Sequence, residues 1–308
     1  MELTRPPLQT RDGIPIYIPA TDAFYEGKFT ATIPGPQGFS GKMKNMVLRR
    51  LRFLHEELRQ LRARKGAPLT ILDMACGGGH GLLPHYGVVT GVDISLQSLS
   101  QARKLYDTVI CASCDELPFN DGAFDVVVAM DFLGHIPPEG KSALLAEIRR
   151  VLAPGGAALL YVETKGDNGM QRLASRHPDL YARYFEEPEG HVGLESPHRV
   201  LERLHAAGLL PARSIGAYKS WLKQPQEMQI RFAGEYARLY PWLKVPVMLD
   251  RAICSAAPLR QAATMLVELA TPVLDRLLPF PMSDGLFIRA VRMKIGRASC
   301  RERVYVLV

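Results

Sequence analysis

Short runs of apolar, β-branched residues alternate with amphipathic segments through the middle of the chain. Five such runs predict strands near residues 70–74, 88–92, 108–111, 124–130 and 156–162. The segments between them have the three- to four-residue apolar spacing of helices, near 79–85, 95–106 and 138–152. Strands that alternate with helices predict a parallel sheet covered on both faces and joined by right-handed crossovers.

After the fifth strand the pattern becomes irregular and then resumes. Residues 165–195 mix Gly, Asp, Asn, His and Pro with scattered aromatics, which indicates a partly helical lid. The next segment is a helix with Ser196 as its N-cap and Gly208 at its end. Two further strands are predicted at 213–218 and 286–293.

Between these last two strands lies a long segment, residues 220–285. It is helical in period over 227–240 and 249–278, and it is rich in Leu, Met, Ala and Pro. A connection this long inside a compact domain is usually functional. Two interpretations stay open: a helical insertion that covers the substrate side, or a homodimer interface.

The N-terminal region divides into an arm and a helix. Residues 1–37 are rich in Pro, Gly and aromatics and predict an ordered arm, whose aromatics either cover a pocket or pack on the domain's flank. Residues 42–65 predict a helix with one apolar stripe and basic residues on its other faces. Such a helix is typical of peripheral contact with an anionic membrane, or of docking on a sheet edge with a solvated basic face.

Composition fits a globular protein. The chain has 308 residues, 47% of them apolar, and a formal net charge of +7. We expect a cytoplasmic protein, because residues 1–11 are polar and the chain has no apolar run of the roughly 18 residues that a membrane span needs. The five cysteines are irregularly spaced and predict neither a disulfide framework nor a metal site.

The last residues of the chain look foreign to it. Residues 295–308 resemble translated sequencing-adapter DNA, and we leave them out of the fold prediction. They carry Arg297, Arg301 and Arg303 against Glu302, so without them the formal charge falls from +7 to +5. The predicted organisation is therefore an arm with a basic helix (1–66), a core with its lid (67–219), the insertion (220–285), a final core strand (286–294) and this tail.

The densest chemical signal is a glycine-rich loop that follows the first core strand. The strand ends in Asp73, the loop contains Gly77, Gly78 and Gly79, and the second strand ends in another acid, Asp93. Glycine lets the backbone approach a ligand closely, and an acid at the next strand tip is suited to ribose hydroxyls. The pair predicts a nucleoside pocket at the carboxyl edge of the sheet.

Two common nucleotide motifs are excluded. The dinucleotide pattern G-x-G-x-x-G would need a glycine at Leu82, and the phosphate-loop pattern is absent. The loop resembles motif I of the class I S-adenosylmethionine (SAM)-dependent methyltransferases, acid-x-Gly-x-Gly-x-Gly, with Ala75 at the first glycine position. The resemblance is close over residues 68–165 and looser to 220. It implies a Rossmann-like, doubly wound α/β sheet of seven mostly parallel strands, the last antiparallel, with SAM as cofactor.

The resemblance also implies a set of cofactor contacts. The segment 111–119 is similar to the family's adenine-binding segment, although Ser113 stands where the family usually has Asp, and Asp115 is the substitute nearby. The implied cofactor-binding residues are Asp73, Ala75, Cys76, Gly77, Gly79, Asp93, Ile94, Ser113, Cys114, Asp115 and Met130.

Methyl transfer from a sulfonium is an in-line displacement that depends mainly on alignment and exclusion of water. An oxygen acceptor usually needs a base, and histidine is the commonest one near neutral pH. His135, after the fourth strand, and His191, in the lid, are the candidate catalytic residues. The alternatives are a structural hydrogen bond for His135 and loop ordering for His191.

The acceptor is the least constrained part of the prediction. The segment that begins at Asp131 lacks the Asn/Asp-Pro-Pro-aromatic motif of DNA amino-methylation, and no separate RNA-binding module is visible, so we expect no nucleic-acid partner. The apolar insertion favours O-methylation of a partly apolar small molecule, such as a lipid-linked, quinone-like, polyketide or glycan acceptor. The competing hypothesis is a SAM-binding partner or regulatory protein without catalytic activity.

Overall fold

The computed structural model describes residues 3–19, 25–33, 49–220 and 225–293. Its centre is one nine-stranded sheet with the strand order β1-β2-β5-β4-β3-β6-β7-β9-β8. The strands are β1 (Gln9–Arg11), β2 (Ile14–Ile16), β3 (Leu69–Met74), β4 (Gly87–Asp93), β5 (Thr108–Cys111), β6 (Phe124–Met130), β7 (Leu152–Glu163), β8 (Leu209–Ala217) and β9 (Gly285–Arg292).

The predicted Rossmann-like sheet is confirmed. Strands β3 to β7 pair in parallel, and β9 inserts antiparallel between β7 and β8. The predicted count of seven strands is wrong, because the N-terminal arm adds β1 and β2 beside β5. Ile14 and Ile16 bury their side chains there. Three-residue strands are too short to give a readable alternation.

The helices of the described residues flank this sheet and build the lid and the insertion. They are α1 (Arg49–Lys65), α2 (Leu96–Ala102), α3 (Lys141–Val151), α4 (Gly169–Ala174), α5 (Pro178–Tyr181), α6 (Pro197–Ala206), α7 (Glu227–Phe232), α8 (Glu235–Leu239), α9 (Lys244–Cys254) and α10 (Ala257–Leu277). A π-helical turn, Ala182–Glu186, extends α5. None of the helices in the described ranges is both long enough and apolar enough to cross a bilayer.

Three helix predictions are wrong in detail. The segment 227–240 is two short helices, α7 and α8, separated at Ala233 and Gly234. The segment 79–85 holds only a 3₁₀ turn, Leu83–His85, because its first residues are hydrogen-bonded to the N-terminal arm instead. The single helix predicted over 249–278 is two helices, α9 and α10, separated at Ser255 and Ala256. Pro258 lies in the first turn of α10, where its missing N–H costs nothing, so it begins a helix more readily than it continues one.

Helix α1 is docked on the sheet. Leu54 and Leu58 are fully buried, and the buried Glu57 carboxylate accepts hydrogen bonds from Arg213 at 2.5 Å and Arg289 at 2.8 Å. Residues 42–48 of the predicted helix lie outside the described residues. Arg49 and Arg50, which the sequence places on the basic faces of the helix, pair with Asp275 and Asp131. The sequence does not reveal these pairs, because apolar periodicity does not show which charged residues meet a partner elsewhere in the chain.

The insertion packs chiefly on the lid. An apolar cluster separate from the sheet core joins the two, with Ala174, Tyr181 and Phe185 from the lid side and Phe232, Tyr236, Leu243 and Val247 from the insertion. Helix α10 is tied to the sheet by Asp275, which accepts hydrogen bonds from Arg49 at 2.6 Å and from the Lys219 N–H at 2.8 Å. The insertion therefore reaches both the lid and the edge of the sheet where strands β6 and β7 end.

Candidate functional site: a nucleoside-binding sheet edge beside a cavity

The carboxyl ends of the parallel strands form the site, as open α/β sheets generally do. The loop after β3 turns sharply there, since Ala75, Gly77 and Gly79 have φ values of 52°, 52° and 88°. Glycine adopts these left-handed angles without strain, whereas Ala75 does so at a small cost. The departure from the family pattern at Ala75 is thus compatible with the loop's shape.

Asp93 lies beside this loop at the tip of β4. Its carboxylate accepts the Gly77 N–H at 2.8 Å and the Ser95 N–H at 2.9 Å. Burial raises the pKa of Asp93, and these backbone N–H groups partly offset the rise. A carboxylate offers about four acceptor positions, so two remain for the hydroxyls of a ribose.

Asp73 is in a different situation, beneath the loop. It is buried and accepts a hydrogen bond from the Tyr106 hydroxyl at 2.6 Å, and the same hydroxyl accepts the His80 N–H. Burial raises the pKa of Asp73 to about 7, against the lowering effect of the Tyr106 bond. The observed contacts of Asp73 support the loop from below, and its contact with the cofactor stays a prediction.

The other predicted cofactor residues surround the same edge. The Cys76 N–H donates to the Val92 carbonyl at 3.0 Å, and Cys114 is buried in the sheet core. The Ser113 hydroxyl donates to the Asp115 carboxylate, so these two residues act as one polar pair. Ile94 directly follows β4 and Met130 is the last residue of β6, and both side chains are half-buried. Their roles toward a cofactor remain predictions.

The N-terminal arm, here residues 25–33, lies across the glycine loop. The Phe29 carbonyl accepts the Gly78 N–H at 2.9 Å, and Ile33 exchanges hydrogen bonds with Gly79 and Gly81. Glu26 accepts the Ser95 hydroxyl at 2.6 Å, next to Asp93. Sequence reasoning missed Glu26, and the only signal was the aromatic content around it. Phe24, which it grouped with Tyr25 and Phe29, lies outside the described residues.

His135 stands where the arm, the lid and the sheet edge meet. Its ring centre is 6.1 Å from that of Tyr25, 6.4 Å from that of Phe29 and 5.0 Å from that of His191. Its Nδ1 is 3.1 Å from the Gly190 carbonyl oxygen, which can only accept, so in the neutral ring Nδ1 carries the proton. Burial lowers the pKa of His135, which keeps the ring neutral near pH 7 and leaves Nε2 as a proton acceptor.

His191 is held by a carboxylate. Its Nε2 lies 2.6 Å from Oε2 of Glu163 at the end of β7, although 28 residues separate them in the chain. Burial lowers the pKa of His191, but the Glu163 hydrogen bond and charge outweigh it, so the pKa is raised. Burial likewise raises the pKa of Glu163, and His191 reverses this to a net lowering. Below the raised pKa of His191 the pair is therefore an imidazolium–carboxylate ion pair, and it connects the lid to the end of β7.

A cavity of about 190 Å³ opens beside this ion pair. Arg50 reaches it from α1, where its guanidinium pairs with Asp131 and lies 4.2 Å from the ring centre of Tyr161. The apolar lining comes from the lid and the insertion: Met170, Phe185, Leu194, Met228 and Phe232. Sequence reasoning missed Arg50, because nothing in a run of basic residues distinguishes the one that points inward.

The fold and the site define a Rossmann-like domain with a glycine loop and two acids at the carboxyl edge of its sheet and a cavity beside them. Residues 71–156 match the family described as "Methyltransferase domain". The chain therefore contains a methyltransferase domain of the class I SAM-dependent family, with S-adenosylmethionine as its cofactor.

Curated relatives align with about half of the chain. It is 29% identical over 177 residues to the 27-O-demethylrifamycin SV methyltransferase of Amycolatopsis mediterranei, covering 52% of this chain and 62% of that protein. It is 28% identical over 152 residues to the norajmaline N-methyltransferase of Rauvolfia serpentina, covering 45% and 49%. It is 31% identical over 150 residues to the 2-methyl-6-phytyl-1,4-hydroquinone methyltransferase of Synechocystis, covering 46% of each.

Proposed function

We propose that this chain transfers the methyl group of SAM to an oxygen atom of a small, partly apolar acceptor bound in the cavity beside Glu163 and His191. The observation that carries the proposal is the state of His135. A neutral imidazole whose Nδ1–H is fixed on the Gly190 carbonyl leaves Nε2 as a base, and its ring centre lies 5.0 Å from that of His191, which lines the cavity.

The residues of the sheet edge fit the cofactor. Asp93 retains two acceptor positions for ribose hydroxyls, and the glycine loop has no side chains to obstruct the approach. When bound, SAM supplies a methyl group on a sulfonium, ready for in-line displacement. The arm residues Tyr25 and Phe29 stand between the loop and His135, where they exclude water from the reacting groups.

The protein's chemical task is then a proton transfer and an alignment. The acceptor hydroxyl would give its proton to Nε2 of His135. Bound SAM would supply the methyl group to that oxygen, and its methyl–sulfur bond would break to leave S-adenosylhomocysteine. The His191–Glu163 ion pair and Arg50 orient the acceptor by hydrogen bonds at the polar end of the cavity. The aromatic and Met side chains hold its apolar part, as expected of a mostly apolar ligand pocket.

The relatives support a ring-bearing acceptor of this kind. Two of them are named for a 27-O-demethylrifamycin and for a phytyl hydroquinone. The third is named an N-methyltransferase, so the atom that receives the methyl group varies among the relatives. For this chain, the choice of oxygen rests on His135.

The test is release of S-adenosylhomocysteine with a panel of phenols, hydroquinones and hydroxylated macrolides. We expect turnover with at least one, and we expect His135→Gln to lower kcat by roughly 10²–10⁴ without weakening SAM binding. The control is His205→Gln, an exposed histidine on α6. Normal turnover in His135→Gln would refute the assignment of His135 as the general base. SAM binding without turnover across the panel and across fractionated cell extracts would favour the non-catalytic SAM-binding protein.

A further inference from the structure

The two longest helices of the insertion, α9 and α10, expose large apolar side chains to solvent. Met248 is 67% exposed, Leu266 is 66% exposed and Leu277 is 77% exposed. Scattered exposed apolar residues are ordinary on protein surfaces, but concentrated ones mark interaction sites. Trp242, in the turn that leads into α9, is also more than half exposed.

In α10 the exposed apolar residues form one stripe. Their spacing of three and four places them on a single helical face: Leu259, Ala262, Leu266, Leu269, Val273 and Leu277. The opposite, buried face carries one apolar residue, Val267, beside Glu268, Thr271 and Asp275. The helix is therefore more apolar outside than inside, the reverse of an ordinary surface helix.

Helix α9 has the same inversion. Val245, Met248 and Leu249 point outward, whereas the buried residues are Val247 and Asp250. Two of the inward acids make hydrogen bonds within the protein. Asp250 accepts hydrogen bonds from the Gln226 and Gln229 N–H groups, and Asp275 accepts one from the Arg49 guanidinium. These hydrogen bonds explain why acidic residues occupy buried positions of α9 and α10. They do not explain why the solvent-exposed positions of the same helices are apolar.

The charges on this surface have one sign. Residues 236–279 are all described, and within them every exposed charged side chain is basic: Arg238, Lys244, Arg251, Arg260 and Arg276. The acids of the same segment, Asp250, Glu268 and Asp275, are all buried. The exterior of the segment thus combines apolar stripes with positive charge and carries no negative charge.

We propose that this surface of α9 and α10 docks on an anionic phospholipid membrane, lying in the interface rather than crossing it. An anionic headgroup layer neutralises the basic residues while the acyl boundary receives the apolar stripes and Trp242. A second copy of the chain is a poorer partner, because its like-charged surface would bring arginines against arginines.

The basic helix α1 is a poorer docking surface. Its apolar residues Leu51, Leu54 and Leu58 are buried against the sheet, so it presents positive charge without an exposed apolar face. Charge alone gives weak, screened attraction. Helices α9 and α10 combine positive charge with exposed apolar side chains. The proposal does not depend on the methyl acceptor, since it rests only on this exposed surface.

The experiment is vesicle co-sedimentation of the full chain. We expect binding to vesicles of phosphatidylcholine mixed with phosphatidylglycerol, and much weaker binding to phosphatidylcholine alone or at high salt. Two variants test the surface. One removes apolar side chains: Met248→Gln, Leu249→Gln, Leu266→Gln and Leu269→Gln. The other removes charge: Lys244→Gln, Arg251→Gln and Arg260→Gln.

Each variant should bind anionic vesicles roughly tenfold or more weakly. All seven residues are exposed, so we expect both variants to fold, which circular dichroism and SAM titration check. The matched control removes three exposed charges from α1 and should bind like the wild type: Arg59→Gln, Arg62→Gln and Arg64→Gln.

Three results would overturn the proposal. One is failure of the wild type to bind anionic vesicles. Another is loss of binding in the α1 control with normal binding in the α9–α10 variants. The third comes from sedimentation velocity: a wild-type dimer that the apolar variant converts to a monomer, with no vesicle binding by either, would assign the surface to a second copy of the chain.

Discussion

At the scale of single residues, the two histidines of the site have opposite electrostatic environments. His191 is paired with Glu163 and has a raised pKa, whereas His135 is hydrogen-bonded to the Gly190 carbonyl and burial lowers its pKa. The positive charge of His191 is one of the causes that lower the pKa of His135. Pairs of titratable groups whose pKa values are pushed apart are typical of acid–base sites.

This coupling predicts a pH effect. If His135 is the base, the rate falls as the pH drops through its pKa, because the protonated ring cannot accept a proton. His191→Gln removes the positive charge that lowers the pKa of His135 and retains the Glu163 carboxylate, which raises it, so the pKa of His135 should rise. We expect the acid limb of the kcat profile to move to higher pH. An unmoved limb would contradict the assignment of His135 as the titrating group.

Asp93 gives a prediction that involves the cofactor alone. Asp93→Ala removes a carboxylate that holds the Gly77 N–H and, by the proposal, the ribose hydroxyls. Loss of a charged hydrogen bond costs about 1.5–3 kcal/mol, so SAM affinity by calorimetry should fall about ten- to a hundredfold. Asp121→Ala, an exposed acid far from the loop, is the control. Wild-type affinity in Asp93→Ala would mean that the pocket lies elsewhere.

At the scale of elements, one carboxylate ties the insertion to the core. Asp275 of α10 receives Arg49 of α1 and the N–H groups of Tyr218 and Lys219 just beyond β8. The side chains of both Asp275 and Arg49 are about 95% buried. A buried pair adds little compared with an apolar pair, but removal of one partner leaves an uncompensated charge.

Asp275→Ala should therefore destabilise the protein by about 3–5 kcal/mol, measured as the free energy of unfolding in urea. The comparison is Asp167→Ala, which breaks an exposed pair with Arg172 and should cost about 1 kcal/mol or less. Equal effects of the two substitutions would show that α10 does not depend on this contact. Under conditions in which both variants are fully folded, their affinity for SAM should equal that of the wild type.

At the scale of the whole molecule, the apolar clusters separate the cofactor edge from the cavity. Two clusters in the sheet core support the cofactor edge, and the lid and the insertion, joined by a third cluster, supply most of the residues that line the cavity. The described contacts around Asp93 and the glycine loop come from the sheet and the arm, with no residue of the insertion among them. Cofactor binding and acceptor binding should therefore be separable.

A deletion tests that separation. Removal of residues 221–278 joins Ser220 to Pro279. The two ends are close because Ala217 at the end of β8 pairs with Gly285 at the start of β9 and accepts the Asp284 N–H at 3.1 Å. The variant carries Arg49→Met, since Asp275 is lost. We expect near wild-type SAM affinity by titration and no turnover, because alignment and water exclusion are lost. Loss of SAM binding in a cooperatively folded variant would contradict the prediction.

Local periodicity fixed much of the fold in advance. The parallel strands, the glycine loop and the α6 cap with Ser196 all follow from patterns within ten to twenty residues, where backbone geometry and burial act directly. The same local view failed for 79–85, whose backbone pairs with an arm some fifty residues upstream. It also joined α9 and α10 into one helix, because both have the same apolar period.

The sequence by itself determined the class of fold and the cofactor edge, because strand alternation, glycine conformational freedom and an acid at a strand tip are properties of short segments. Only the tertiary structure decided that Arg50 lines the cavity, that His135 and His191 are neighbours and that α10 turns its acids inward. These outcomes depend on contacts between distant segments, such as the 226 residues between Arg49 and Asp275. A charged side chain is buried only where a partner compensates its charge. The partner lies far away in the sequence, so the residues next to either member of the pair do not reveal it.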